Sequence, residues 1–496
     1  MPILNLKLTA TEKLPARAQL EACRQWIFLL ARTLTVAEIM ALPFGQSLMQ
    51  RHRDVTKQIK ETDPITLDLP NKESSRVAFA SADPGISAFN LLELARKLTA
   101  VHAQTASPRL GLLVYGFAPE VAERMAEALV AAVWAAAAPM PSFKQNGSAG
   151  PGWRRVLLHG IKPRHGYRRT RAEAEGNAVA RSLSMLPSNL LDPGRYVKKV
   201  RQLAREYDWR FEFMDLPALR RRKAGAFLAV AQGSAARDAG IVHLRYRPES
   251  GNPRRSLALV GKGICYDTGG VNLKSSRGMF GMHEDMQGSA VALGTLIALT
   301  QCQARFNIDC YLAIAMNEIG SRAYKPNDVI TAMDGATIEI VDTDAEGRLV
   351  LADTLVLASG HKPGLIIDYA TLTGDCTRAL GNGYSGVFSN REHYLPLLIA
   401  AGKDSGERVW PFPMDADYDR RLESRIADIK QCAIKDGTDH ILAARFLQRF
   451  VKHDTAWVHV DLSAGNHRGG LAHVPTDITG FGIRFTLNLL LDKNIL

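Results

Sequence analysis

Short runs of aliphatic and β-branched residues recur along this chain, and that recurrence narrows the possible folds more than any other feature. In the first third, Gly111–Tyr115 reads as a short buried strand and 119–138 has helical periodicity. A Gly/Pro-rich loop covers 139–152, and Arg155–Leu158 reads as another strand. Further on, strands are expected at Leu257–Val260, Ile308–Ile314, Ile338–Val341, Leu365–Asp368 and Trp457–Val460. Each of these ends in a turn rich in Gly, Asp or Asn, and a helical segment usually follows. This order predicts an α/β fold with mostly parallel or mixed sheets, whose chemistry sits at the carboxyl ends of the strands. A chain of 496 residues exceeds one ordinary core. The expectation is a smaller N-terminal α/β domain, 1–165, followed by a larger C-terminal α/β catalytic domain, 166–496, with a mixed central sheet. The charged helical segment 168–186 reads as a connector that ends in the turn 189–193.

Hydrophobic residues make up 46% of the chain and charged residues 23%, the balance of a soluble globular protein. The opening MPILNLKLTATEKLPARAQ has no apolar signal-peptide core. The longest apolar run, 128–138, falls short of the ~20 residues that span a bilayer. The six cysteines form no CxxC pair, which argues against a disulfide scaffold or a zinc ribbon. A soluble, cytoplasmic protein without membrane partners is expected. The formal net charge of +12 keeps a polyanion partner such as DNA in view. Its carriers are the acid-free run 153–171, with Arg154, Arg155, Lys162, Arg164, Arg168, Arg169 and Arg171, and the cluster Arg220–Lys223. No known DNA-binding motif accompanies them, so a solvated or intersubunit face competes with that reading.

Three segments place ionisable residues after strands. VGKGICYDTGG carries Lys262 and Asp267, and its loop runs on to Lys274. MHEDMQGSA places Asp285 before an apolar helix, 291–299. DTDAEGRL, 342–349, sets Asp342, Asp344, Glu346 and Arg348 at alternate positions after an apolar run. If the extended geometry continues, those four side chains share one face. Carboxylates gathered this way repel one another unless a cation lies among them, and hard divalent ions suit them. A P-loop is excluded because Gly263 follows Lys262 where Ser or Thr is required. HExxH is excluded because Gln287 stands where the second histidine belongs. Singly, each residue has a plainer reading: Asp285 as a helix cap, Lys274 as a surface lysine, Glu346 and Arg348 as an exposed ion pair. His459, His467 and His473 form a rival cluster, although scattered histidines are usually structural. A dinuclear phosphatase or nuclease would also use carboxylate-bound metals, but no matching motif is present.

GKGICYDTGGVNLK, DMQGSA, DTDAEGRLVLAD and DYATLTG, in this order and spacing, resemble the signature segments of the leucyl (cytosol) aminopeptidase family, and LPSNLLDP and FLQRFV also fit. The similarity covers roughly 170–496; the N-terminal third resembles the family only in its α/β order. The resemblance implies a two-metal exopeptidase that releases N-terminal amino acids from peptides with broad, leucine-type specificity, using a hydroxide that bridges two zinc or manganese ions. It implies one ion on Asp267, Asp344 and Glu346, and the other on Lys262, Asp267, Asp285 and Glu346. It gives Lys274 the role of stabilising the oxyanion and makes Arg348 the holder of a bicarbonate ion. Met282, Thr371, Leu372 and Gly374 would shape the substrate site. It also implies a homohexamer with inward-facing active sites, and some bacterial members of the family bind DNA. This sequence departs from the family at Asp342, Gln287, Asp375, Asp439-His440 and Leu442. Asp342 would then add negative charge beside the first-residue pocket and favour basic first residues.

Overall fold

The computed structural model describes residues 5–55, 63–71, 73–145, 150–252, 255–434 and 437–496. Part of the Gly/Pro-rich loop, 146–149, lies outside them. The chain divides into two compact units, 1–178 with 468–477 and 179–467 with 478–496. The division falls within the helix Arg168–Ser184.

The first unit is built on a six-stranded sheet ordered Lys7–Thr11, Arg155–His159, Arg109–Tyr115, Gln25–Ala31, Arg76–Ala82, Ile65–Asp68. Only the pair Ile65–Asp68 and Arg76–Ala82 is antiparallel. Gln25–Ala31 is buried at every position, as a parallel strand covered on both faces must be. The helices Ala88–Ala103 and Pro119–Ala137 supply much of the core. Ser87 caps the first by accepting from the Asn90 N–H at 3.2 Å, and Pro119 opens the second. Arg154, Arg155, Lys162, Arg164, Arg168 and Arg171 are exposed. Arg169 and Arg171 pair with Glu173 and Glu175 one helical turn on, at 3.0 and 2.9 Å, so part of the basic charge is neutralised locally.

The second unit carries a mixed eight-stranded sheet: Val409–Pro411, Ser385–Ser389, Ala456–Asp461, Leu365–Ala370, Ser256–Asp267, Asn307–Asn317, Gly240–Tyr246, Arg210–Asp215. Its four central strands, from Ala456–Asp461 to Asn307–Asn317, are parallel and end at one edge. The strand expected at 257–260 is therefore three times longer, and Lys262 and Asp267 belong to it rather than to a loop. Side chains alternate along it. Gly261 and Gly263 face the helix Gln287–Gln301, and a β-carbon on Gly261 would lie 2.4 Å from the Ser289 Cα. Ala258, Val260 and Ile264 join the core that includes the helix Gly347–Ser359, and Lys262 shares their face. The two glycines thus admit one helix to close packing while the lysine between them reaches toward the other.

DTDAEGRL is not extended. The strand before it spans only Thr337–Glu339. Asp344 donates its backbone N–H to the Asp342 carboxylate at 2.9 Å, and Glu346 already has helical dihedrals at the start of Gly347–Ser359. A side-chain-capped turn replaces the strand because Asp342 offers the backbone a local acceptor. Among the described residues, no helix is long and apolar enough to cross a membrane.

Candidate metal centre

The carboxyl edge of the central strands collects the charged residues. Lys262, 3% exposed, leaves the middle strand and meets Asp285 Oδ2 at 2.9 Å and Glu346 Oε1 at 2.8 Å. It donates a hydrogen bond to the Thr371 carbonyl at 3.0 Å. Lys274 reaches back from the following loop to Asp267 Oδ2 at 2.9 Å and contacts Asp344 Oδ1. Asp285 is not a helix cap: its Oδ1 accepts from Thr371 Oγ1 at 2.6 Å. Glu346 and Arg348 are both buried and do not form an exposed pair.

Several residues that sequence patterns left unmarked hold this geometry. The pairing of Asn307–Asn317 with its parallel neighbour slips by one residue near its end, which sets Asn317 opposite Asp267. Asn317 Nδ2 then donates to Asp267 Oδ1 at 2.8 Å and to the Thr343 carbonyl at 3.0 Å. Thr343 Oγ1 donates to the Gly269 carbonyl at 2.6 Å and accepts from the Asn272 N–H, tying the Lys274 loop to the DTDAEGRL turn. That loop turns at Gly269 and Gly270, both with positive φ. Asp461 accepts from the Leu372 N–H at 3.2 Å and from Thr373 Oγ1 at 2.6 Å, which fixes the segment 371–373. Asn317 and Asp461 each close a central strand, and that position was the available signal.

Four carboxylates, of Asp267, Asp285, Asp344 and Glu346, thus face two ammonium groups. Burial and the carboxylate of Asp267 push Asp344 up to about 7, against the pull of Lys274. Burial also raises Glu346 and holds Asp285 well above the carboxylate range. Burial opposes the charge on Lys262, but Asp285, Glu346 and Asp267 outweigh it and hold the amine above the ordinary lysine range. Fully ionised, the four carboxylates would carry more negative charge than the two lysines balance, a surplus that divalent cations can meet in place of protons. One oxygen each of Asp267, Asp344 and Glu346 lies within 4.8 Å of the others, and no other such group of His, Cys, Asp or Glu occurs among the described residues. Glu346 Oε2 is buried without a hydrogen-bond partner. Hard oxygen donors, surplus negative charge and a buried oxygen without a partner fit divalent cations. The histidine cluster does not assemble: His459 is buried against Asp368, with Nδ1 2.6 Å from its carboxylate.

A cavity of about 400 Å³ opens onto the centre. Lys262, Asp267, Lys274, Asp285 and Asp344 line it together with Met282, Thr371, Leu372 and Gly374, so these expected site residues converge. Gln287, Glu284 and Asn466 give it a polar wall, and Asn466 donates to Glu284 at 2.6 Å. Two residues are placed elsewhere. The Asp342 carboxylate is engaged by the Asp344 N–H rather than added to the cavity wall. Arg348 does not line the cavity; it donates to the Gln431 carbonyl at 3.0 Å and to the Asp439 carboxylate at 2.6 Å, and its buried Nε has no hydrogen-bond partner.

Fold and site together define an α/β protein with a carboxylate cluster suited to metal ions at the carboxyl edge of its sheet. Residues 178–487 match the peptidase M17 family, described as the cytosol aminopeptidase family, catalytic domain, and the chain belongs to that family. It is 41% identical over 331 residues to a probable cytosol aminopeptidase of Wolbachia pipientis wMel, covering 66% of this chain and 65% of that protein. A probable cytosol aminopeptidase of Syntrophotalea carbinolica is 42% identical over 325 residues, 65% and 64% of the two chains. One from Rhodopseudomonas palustris strain BisB18 is 40% identical over 324 residues, 64% and 63%. The matched stretch spans a little under two thirds of the length of these relatives.

Proposed function

We propose that this protein is a metal-dependent aminopeptidase that releases the N-terminal residue of peptides with broad, leucine-type specificity. The observation that carries this reading is the convergence of Lys262, Asp267, Asp285, Asp344 and Glu346 beside a cavity that also holds Lys274. Asp267, Asp344 and Glu346 would hold one divalent ion; Lys262, Asp267, Asp285 and Glu346 would hold the second, with zinc and manganese as the candidate metals. Lys262 can serve as a ligand only as a neutral amine, the form that neighbouring dications favour. Such ions supply Lewis acidity and bring the ionisation of water into the neutral range.

The chain's own groups do the rest. Lys274 is on the cavity wall, where its ammonium can donate to an oxygen that gains charge as the scissile carbonyl is attacked. The segment 371–374, held by Asp461, presents backbone groups that orient the peptide. The family likeness also supports a homohexamer, which the mass in solution would check. The reading is tested by assaying aminoacyl amides and phosphodiesters with each divalent ion. Hydrolysis of Leu-, Met- and Arg-amides that needs Mn²⁺ or Zn²⁺ supports it, and activity that survives complete metal removal refutes it.

A DNA-binding role, additional or principal, is the second reading, supported by the exposed residues of 153–171. Binding through phosphates alone should weaken with salt, with a log–log slope of about −0.9 per phosphate neutralised. Failure to bind duplex DNA at low salt would remove it.

A further inference from the structure

Arg348 is 1% exposed and its guanidinium cannot shed its proton, so its charge requires an anion inside the protein. That anion is Asp439, whose Oδ2 lies 2.6 Å from Arg348 Nη2. The resemblance gives Arg348 a bicarbonate ion; here a carboxylate of the chain itself pairs with Nη2, while Nε is buried without a hydrogen-bond partner. Asp439 opens the helix Asp439–Gln448 and donates its backbone N–H to Asp375 Oδ2 at 3.0 Å. Asp375 belongs to the short helix Gly374–Leu380, directly after the segment 371–373 on the cavity wall. On the other side, Arg348 lies two residues beyond Glu346. The Gln431 carbonyl accepts from Arg348, while the Gln431 side chain accepts from the Val341 and Asp342 N–H groups and donates to the Ala345 carbonyl. Arg348, Asp439 and Asp375 therefore link the turn that delivers Asp344 and Glu346 to the segment that faces the substrate.

We propose that Asp439 is a positioning residue: its carboxylate is the built-in anion of Arg348, locking the two walls of the site together so that no anion from solution is needed there. The catalytic consequence rests on the aminopeptidase reading; the binding consequence does not. Asp439 keeps 32% of its side-chain exposure, so a small anion can reach the place vacated by its removal.

The experiment uses the full-length protein with Asp439→Ala and the isosteric Asp439→Asn. Each is assayed in carbon-dioxide-free buffer with added formate, acetate or bicarbonate, and each is melted metal-free in the same salts, with chloride as control. Wild type should be indifferent to these carboxylates in both readouts. Asp439→Ala should lose about 10²-fold in kcat with little change in KM, as expected for a site whose parts are misplaced by about an ångström. Formate or bicarbonate should restore its kcat and raise its melting temperature. Asp439→Asn, in which the amide fills the space, should be equally impaired and not rescued. Wild-type activity that rises with bicarbonate, or an Asp439→Ala protein whose melting and turnover ignore all three anions, would overturn the proposal. If the wild type hydrolyses no aminoacyl amide, the melting arm still decides whether Asp439 occupies an anion site.

Discussion

Gly347 packs directly on the side chain of Lys262: a β-carbon there would fall 2.7 Å from Lys262 Cε and 2.8 Å from its Nζ. The crowded atoms are the end of a flexible side chain, so a methyl group can be admitted by moving the amine. Gly347→Ala should therefore stay folded, with stability changed by no more than about 1 kcal/mol. The displaced amine should no longer complete its ion site. The expected result is one bound metal per chain instead of two by elemental analysis, with a metal-free melting curve close to that of the wild type. Retention of two tightly bound ions would show that Lys262 is not a ligand.

Lys274 and the carboxylates should separate by mechanism. Asp344→Asn and Glu346→Gln should lose activity together with metal, because each replaces an anionic oxygen of the cluster within 4.8 Å by a neutral amide. Lys274→Ala should keep both ions and lose about 10²–10³ in kcat, more than KM rises, as when one oxyanion donor is removed. Metal content measured beside steady-state kinetics separates the two outcomes.

First-residue preference should follow Gln287 rather than Asp342. Gln287 is 3% exposed, lines the cavity, and its Oε1 has no hydrogen-bond partner. A substrate side chain with N–H or O–H groups can pair with that amide, whereas an apolar one leaves it buried and unmatched. Gln287→Ala should shift the Arg-amide to Leu-amide ratio of kcat/KM toward leucine by about tenfold, equivalent to ~1.4 kcal/mol. Asp342→Asn should leave the ratio unchanged, since an Asn oxygen can still accept from the Asp344 N–H. A ratio that moves with Asp342 instead would return that residue to the pocket.

Acid should weaken the first unit through His102. Its Nε2 lies 2.9 Å from the Trp26 carbonyl, and burial pushes the ring down to about 4 from an ordinary 6.5. Below 6.5 the unfolded chain takes up a proton that the folded ring refuses until about 4. The contribution is therefore complete above 6.5 and lost as pH falls between the two values, about 3 kcal/mol in all. Urea unfolding at pH 7 and 4.5 should show a smaller difference for His102→Gln than for wild type. Equal differences would mean that His102 titrates alike in both states.

The sequence by itself determined the α/β order, the expectation that chemistry collects at strand ends, and the identity of the cluster. Strand, turn and helix follow from local residue order: Asp267 ends a strand, Asp285, Asp344 and Glu346 stand shortly before helices, and Lys262 lies within the strand that Asp267 ends. Local pattern could not supply directions. Alternation in DTDAEGRL suggested four side chains on one face, but the acceptor on Asp342 folds the segment into a turn. Asp344 and Glu346 then converge on the centre, while the Asp342 carboxylate takes the Asp344 N–H and Arg348 pairs with Asp439. Nor could it supply partners. Asn317 with Asp267, Asp461 with Thr373 and Asp439 with Arg348 come from segments far apart in the chain. Only the tertiary structure decided those pairings, because a buried charge takes its partner from whichever strand or helix the packing brings within hydrogen-bond reach, whatever the distance between them along the chain.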